Sequence, residues 1–240
     1  MALLATACAQ NRPYSPRMGD VEEIIKTTCP EISGLIPCPD GDGWYAASDE
    51  NGVWHIARDG ESTPVWTEKD LDCEGLTMDP KTKDIYYVVE GRQQLCRLKA
   101  PDYKNPETLL TLSDIAFDTN HGLEGLTWYR KGIVFIGNQA DPIEFIKFSV
   151  KDKHILSRTR LEKTSEIGGL FYDSKTDHLW IMDSYKFFIH LCTPDGEVLQ
   201  SYPIPFIANA ESCCVDHRNS CLWVGDDETN QIYKIHFDNL

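Results

Sequence analysis

Short apolar runs recur along the chain, each bounded by a turn rich in Asp, Gly, Asn or Pro. Ile85-Tyr86-Tyr87-Val88-Val89, Ile133-Val134-Phe135-Ile136, Leu179-Trp180-Ile181-Met182 and Leu222-Trp223-Val224 are continuous stretches of β-branched and aromatic residues. Runs of this length between turn signals predict strands buried on both faces. Each follows a second motif, in which a small or acidic residue precedes Gly (or Ser) and an apolar residue. The motif opens at Ser33-Gly34-Leu35, Glu74-Gly75-Leu76, Glu124-Gly125-Leu126, Gly168-Gly169-Leu170 and Glu211-Ser212-Cys213. Counted on the second residue, the spacings are 41, 50, 44 and 43. A period of about 40–50 residues built from strands and turns predicts a β-propeller with one blade per repeat.

The second repeat serves as template. Gly75–Met78 is a short inner strand, Asp79–Asp84 a turn, Ile85–Val89 a buried strand, Gln94–Leu98 a third strand and Thr108–Leu112 a fourth. The fifth repeat ends after its third strand, Ile232–Ile235, whereas Val21–Thr27 precedes the first repeat and has no blade of its own. Pairing that segment onto the last blade would close the ring and remove an exposed edge. The expectation is therefore one five-bladed propeller over residues 20–240; six blades would require a further repeat, and none is found.

Composition narrows the partners. The chain has 240 residues, is 41% hydrophobic and 25% charged, and carries 38 acids against 23 bases for a net charge of −15. Such a surface repels phosphate backbones, which excludes nucleic acid, and favours a divalent cation or a small cationic or polar ligand. No apolar run reaches the roughly 18 residues of a membrane-spanning helix. Ala5-Thr6-Ala7 directly before Cys8 resembles the end of a bacterial lipoprotein signal, although it lacks a basic start and has a short apolar stretch. On that reading residues 1–19 are signal remnant and tether. The protein is then a monomer of the periplasm or outer membrane, meeting membrane only through Cys8, with an envelope protein as a further possible partner. The other eight cysteines form no C-x-x-C pair and are expected to be buried thiols, with Cys29–Cys38 the one pairing to check.

Candidate chemistry collects at one end of the ring. The start of each inner strand and the end of the second strand emerge on the same face. The first position reads Ser33, Glu74, Glu124, Gly168 and Glu211. The second reads Ser48-Asp49, Glu90, Asn138, Asp183-Ser184 and Asp226-Asp227, with His121 three residues before Glu124. Converging oxygen ligands suit Ca²⁺ or Mg²⁺, and neighbouring carboxylates without a cation raise one another's pKa. Glu74, Glu124, Glu211, Asn138 and Asp183 are the candidate metal ligands. His121, Glu90, Arg92 and Asp226 are the candidate ligand-binding residues. The competing role is that each Glu fastens the ring by accepting a backbone N–H from the next blade. Nucleophile, P-loop and dinucleotide motifs are absent. Trp44, Tyr86, Trp180 and Trp223 are read as one aligned position that packs blade on blade.

Glu166-Ile167-Gly168-Gly169-Leu170-Phe171-Tyr172-Asp173, Leu179–Ser184, Asn209-Ala210-Glu211-Ser212 and Leu222–Asp227 resemble the SdiA-regulated family of bacterial propeller proteins. The Glu-Gly-Leu at 74–76 and 124–126 fits as well. Departures fall at Gly168, where the family often has Ser, and at Ser212-Cys213, where it usually has Gly-Ile. The resemblance implies a propeller and an exported or envelope location. More distantly, the chain resembles the esterase-like phytase and gluconolactonase-type propellers, which hold a divalent metal with acids at the channel mouth. The expected function is binding of a divalent cation, Ca²⁺ first, with a small polar ligand. The alternatives are a metal-dependent hydrolase of lactones or phosphate esters, in which Glu90 or Asp226 activates water, and a protein-interaction scaffold.

Overall fold

A computed structural model describes residues 14–113 and 121–240. Its strands form five four-stranded antiparallel sheets. Blade one is β2 (Ile32–Pro37), β3 (Trp44–Ser48), β4 (Gly52–Ile56) and β5 (Ser62–Thr67). Blade two is β6 (Cys73–Met78), β7 (Ile85–Val89), β8 (Gln94–Lys99) and β9 (Lys104–Thr111). Blade three is β10 (Leu123–Arg130), β11 (Ile133–Asn138), β12 (Glu144–Ser149) and β13 (His154–Arg160). Blade four is β14 (Gly169–Asp173), β15 (His178–Asp183), β16 (Phe188–Cys192) and β17 (Val198–Pro203). Blade five is β18 (Ala210–Asp216), β19 (Cys221–Asp226), β20 (Gln231–Asp238) and, closing the ring, β1 (Arg17–Lys26).

The closure is antiparallel, with Ile24 opposite Tyr233 and Ile25 opposite Ile232. It covers the edge that β20 would otherwise expose. It also begins before the expected boundary at residue 20. Tyr202 donates to the Pro16 carbonyl at 2.8 Å and Tyr14 packs on His178, so the span read as tether belongs to the propeller from Tyr14 onward. Cys8 lies outside the described residues. The remaining eight cysteines are buried free thiols, Cys29 and Cys38 included.

Second strands are apolar on both faces because each blade is sandwiched between two others. All five residues of β7 are buried. Five apolar clusters fill the five seams, one for each pair of adjacent blades. The aromatic stripe is offset from the expected one at blade one. Tyr86, Trp180 and Trp223 pair with Thr77, Phe171 and Cys214, two residues after the motif's second residue, and Tyr45 and Phe135 pair at the same step with Ile36 and Thr127. Trp44 is one residue early, so it faces back toward blade five and meets Trp223 edge to face at 4.9 Å.

Motif glycines let the inner strands pinch the axis. A Cβ on Gly75 would stand 2.2 Å from the Glu124 carbonyl oxygen, and one on Gly169 would stand 2.1 Å from that of Glu211. With Leu35, Leu76, Leu126, Leu170 and Cys213 also on the axis, the void there is about 10 Å³. That is room for about one water. A ligand therefore sits at a mouth of the ring and does not pass through it.

Candidate functional site

The side chains at the mouth are aimed by bulges. In blades one, two, three and five the pairing of inner and second strand slips between Ile32 and Gly34, Cys73 and Leu76, Leu123 and Leu126, and Ala210 and Ser212. The slips fall on Ser33, Glu74, Glu124 and Glu211. An extra residue in one strand bends it locally and redirects its side chain. Blade four, with Gly168, keeps an unbroken register.

Glu74 and Glu124 are buried beside one another at this mouth, with Glu211 close enough to repel both. Burial drives all three carboxyls well above the ordinary range, and repulsion adds to it, from Glu211 on Glu74, from Glu74 on Glu124 and from Asp227 on Glu211. Glu124 Oε2 has no hydrogen-bond donor among the described residues, and its carboxyl lies against that of Glu74, a contact that bonds only through a shared proton. Ser33 Oγ, 1% exposed at the equivalent place in blade one, also has no partner among the described residues.

Two more layers surround them. Two residues before the first position stand Glu31, Asp72, Gly122, Glu166 and Asn209; one residue beyond the end of the second strand stand Asp49, Glu90, Gln139, Ser184 and Asp227. Burial, a bond to Glu31 and repulsion from Asp227 raise Asp49 to about 8. Burial raises Glu90 to about 7, opposed by a 2.7 Å bond from the Gly122 N–H and by the nearby His121. A Cβ on Gly122 would fall 2.6 Å from the Glu90 side chain, so glycine makes that bond possible. Burial raises Asp227 to about 6, a bond from Asn209 offsetting part of the effect. Asp72 is raised by burial and accepts from the Gly91 N–H at 2.6 Å. Among the described residues the mouth thus gathers nine interacting carboxyls, Glu31, Asp49, Asp72, Glu74, Glu90, Glu124, Glu166, Glu211 and Asp227.

Of the expected site residues, Glu74, Glu124, Glu211 and Glu90 meet here, and His121 stands exposed beside Glu90. The others are turned elsewhere. Asn138 Nδ2 donates to the Ala140 and Pro142 carbonyls at 2.8 and 2.7 Å, while its buried Oδ1 has no partner among the described residues. Asp183 accepts from Ser165, Lys186 and His190; its burial would raise it, but these bonds bring it below the usual carboxylate range. Asp226 accepts from the Ala208 and Asn209 N–H groups and the Thr229 hydroxyl. These three close second strands and brace the neighbouring loops. Arg92 pairs with Glu68 at 2.6 Å rather than with Glu90. Ring fastening falls to Glu90 and to the Thr77 and Thr127 hydroxyls, which accept from the Trp128 and Tyr172 N–H groups of the next blade at 2.8 Å.

Glu31, Asp72 and Glu166 carried no site role in the sequence pattern, and Asp49 and Asp227, placed at the mouth by the repeat, were not among the candidate ligands. Asp49 and Asp227 were visible as direct neighbours of Ser48 and Asp226, and Asp72 as the acid two places before Glu74. Carboxylate oxygens of Asp72, Glu74 and Glu90 lie within 4.8 Å of one another. That span is about twice a Ca²⁺–oxygen distance of 2.3–2.6 Å, so one hard cation fits between them. The donor set is all oxygen and anionic, and the orphaned Glu124 oxygen is the kind of group that such an ion satisfies. This buried acidic cluster could bind a metal.

The fold has known relatives in shape. No family model and no curated protein sequence matches the chain. Among solved structures, it is similar to a glutaminyl cyclase from Myxococcus xanthus, with TM-score 0.70 and 12% identity over 91% of this chain and 96% of that one. A gluconolactonase from Xanthomonas campestris gives TM-score 0.62 and 12% identity over 85% and 71%. A virginiamycin B lyase from Staphylococcus aureus gives 0.53 and 13% over 85% and 65%. All are enzymes by name. Likeness at such identities establishes the propeller architecture and leaves the reaction to the site.

Proposed function

We propose that this propeller binds a divalent cation, Ca²⁺ in the first instance, at the acidic mouth of its axis. Glu74, Glu124 and Glu211 would hold it together with Asp72 and Glu90. One observation carries the reading: buried carboxyls face one another across the mouth with an oxygen left unpartnered, and a hard cation removes that cost. Calorimetric titration with Ca²⁺ is expected to give saturable binding, weakened at least about tenfold in Glu74→Gln. Unchanged heat and melting temperature in millimolar Ca²⁺ would sink the proposal.

A second reading, a metal-dependent hydrolase of lactones or phosphate esters, draws on Glu90 and Asp49. Both have pKa values near neutrality at the same mouth, where a group can accept and return a proton. A bound cation would polarise the substrate oxygen. Asp226 is unsuited to activate water because it is fully buried and already accepts three hydrogen bonds from neighbouring loops. The gluconolactonase among the similar structures makes lactones the first substrates to screen. Export through a lipid at Cys8, membership of the SdiA-regulated family and a scaffold role extend the proposal. Their support is the Ala5-Thr6-Ala7-Cys8 sequence, the repeat motifs and the breadth of a propeller face, respectively.

A further inference from the structure

The end of the axis opposite the acidic mouth carries a concavity of about 540 Å³. It forms where the inner strands of blades one to four run into their first turns. Met78, Trp128 and Phe171, each only partly buried, make an apolar floor. Lys83, Arg130 and Lys131, all exposed, line it as well, and among the described residues no acidic one does. In a chain with 38 acids and 23 bases, that is an inversion of the overall charge. The volume falls within the roughly 300–1,000 Å³ of small-molecule sites, which are mainly apolar with a few polar groups.

The basic groups keep donors to spare. Lys83 Nζ gives one proton to the Pro80 carbonyl at 2.8 Å. Arg130 lies 4.3 Å above the Tyr129 ring and 3.8 Å from Asp177. An ammonium has three donors and a guanidinium five, so each can still bond an anion. A cation would meet three like charges here. A neutral apolar molecule would leave their attraction unused.

We propose that this basin binds a small aromatic carboxylate, its ring lying on Met78, Trp128 and Phe171 and its carboxylate meeting Lys83 and Lys131. Ring burial against Trp128 supplies apolar contact and stacking, and the carboxylate takes charge-assisted hydrogen bonds. The inference is independent of the cation site, which lies at the other end of a closed axis.

Calorimetry on the full chain with 1-naphthoate is expected to give one saturable site. The uncharged analogue 1-naphthamide is expected to bind about tenfold more weakly. Lys83→Glu combined with Lys131→Glu changes exposed positions only. It should weaken naphthoate about tenfold or more and leave naphthamide unchanged. No saturable heat with millimolar naphthoate would overturn the proposal. So would equal affinity for acid and amide, or naphthoate binding that ignores the double charge reversal.

Discussion

Glu124 concentrates the physics of the mouth in one side chain. It is 5% exposed, has an oxygen without a donor, and faces two other buried carboxyls. Ionising it without a cation is costly, because desolvation and repulsion act in the same direction. Glu124→Gln keeps the shape, removes the charge and offers Glu74 a donor. We expect this variant to melt a few degrees higher than the parent in metal-free buffer at pH 8, and to bind Ca²⁺ at least about tenfold more weakly. Differential scanning calorimetry and Ca²⁺ titration check the two halves. A lower melting temperature in metal-free buffer would instead make Glu124 a structural fastener. At this scale the first-position glutamates were legible because the repeat motif marks them. Which residue of each second-position pair faces the mouth was not, since adjacent strand residues point to opposite faces and a one-residue slip exchanges them. Asn138, Asp183 and Asp226 turned out to be loop braces, while Asp49 and Asp227, next to equivalent positions, face the mouth.

Strands and turns show why the motif reads Glu-Gly-Leu. The glutamate sits in a bulge that turns it to the mouth, the glycine admits the next blade's backbone, and the leucine fills the axis. Gly75→Ala would force a Cβ to within 2.2 Å of the Glu124 carbonyl, a backbone atom that cannot swing away. We expect a loss of about 2–4 kcal/mol in urea unfolding, together with weaker cation binding, because the displaced backbone is that of Glu124 at the mouth. Unaltered stability would show that the inner strands are not locked by this approach. Element types were readable from the sequence because β-branched and aromatic runs between Asp- and Gly-rich turns have few alternatives. Bulges were not, since the extra residue is visible only against its partner strand. The misplaced Trp44 has the same origin: counting from turns gave an aromatic one step from where pairing sets Tyr45.

Across the whole molecule, ring closure converts sequence-distant acids into one interacting group, and this makes stability depend on pH. Asp49, Glu90 and Asp227 have folded pKa values of about 8, 7 and 6, all above the values near 4 of an unfolded chain. The folded state therefore holds these protons more tightly. The resulting stabilisation is complete below about pH 4 and is lost as pH rises through roughly 6 to 8. The metal-free protein should melt several degrees lower at pH 8 than at pH 5, and Ca²⁺ should raise the melting temperature more at pH 8 than at pH 5. A flat profile between those values would mean that the mouth carboxyls do not titrate as a buried group. Blade number, strand order and the closing role of the N-terminal segment were all contained in the repeat period and in the strand missing from the last repeat, because hydrophobic periodicity and turn chemistry are local. Which carboxyls share a site, which are spent on loops, and where a basic apolar basin opens on an acidic protein depended on register and ring closure. Those are relations between residues far apart in the chain, and no local pattern encodes the distance between them.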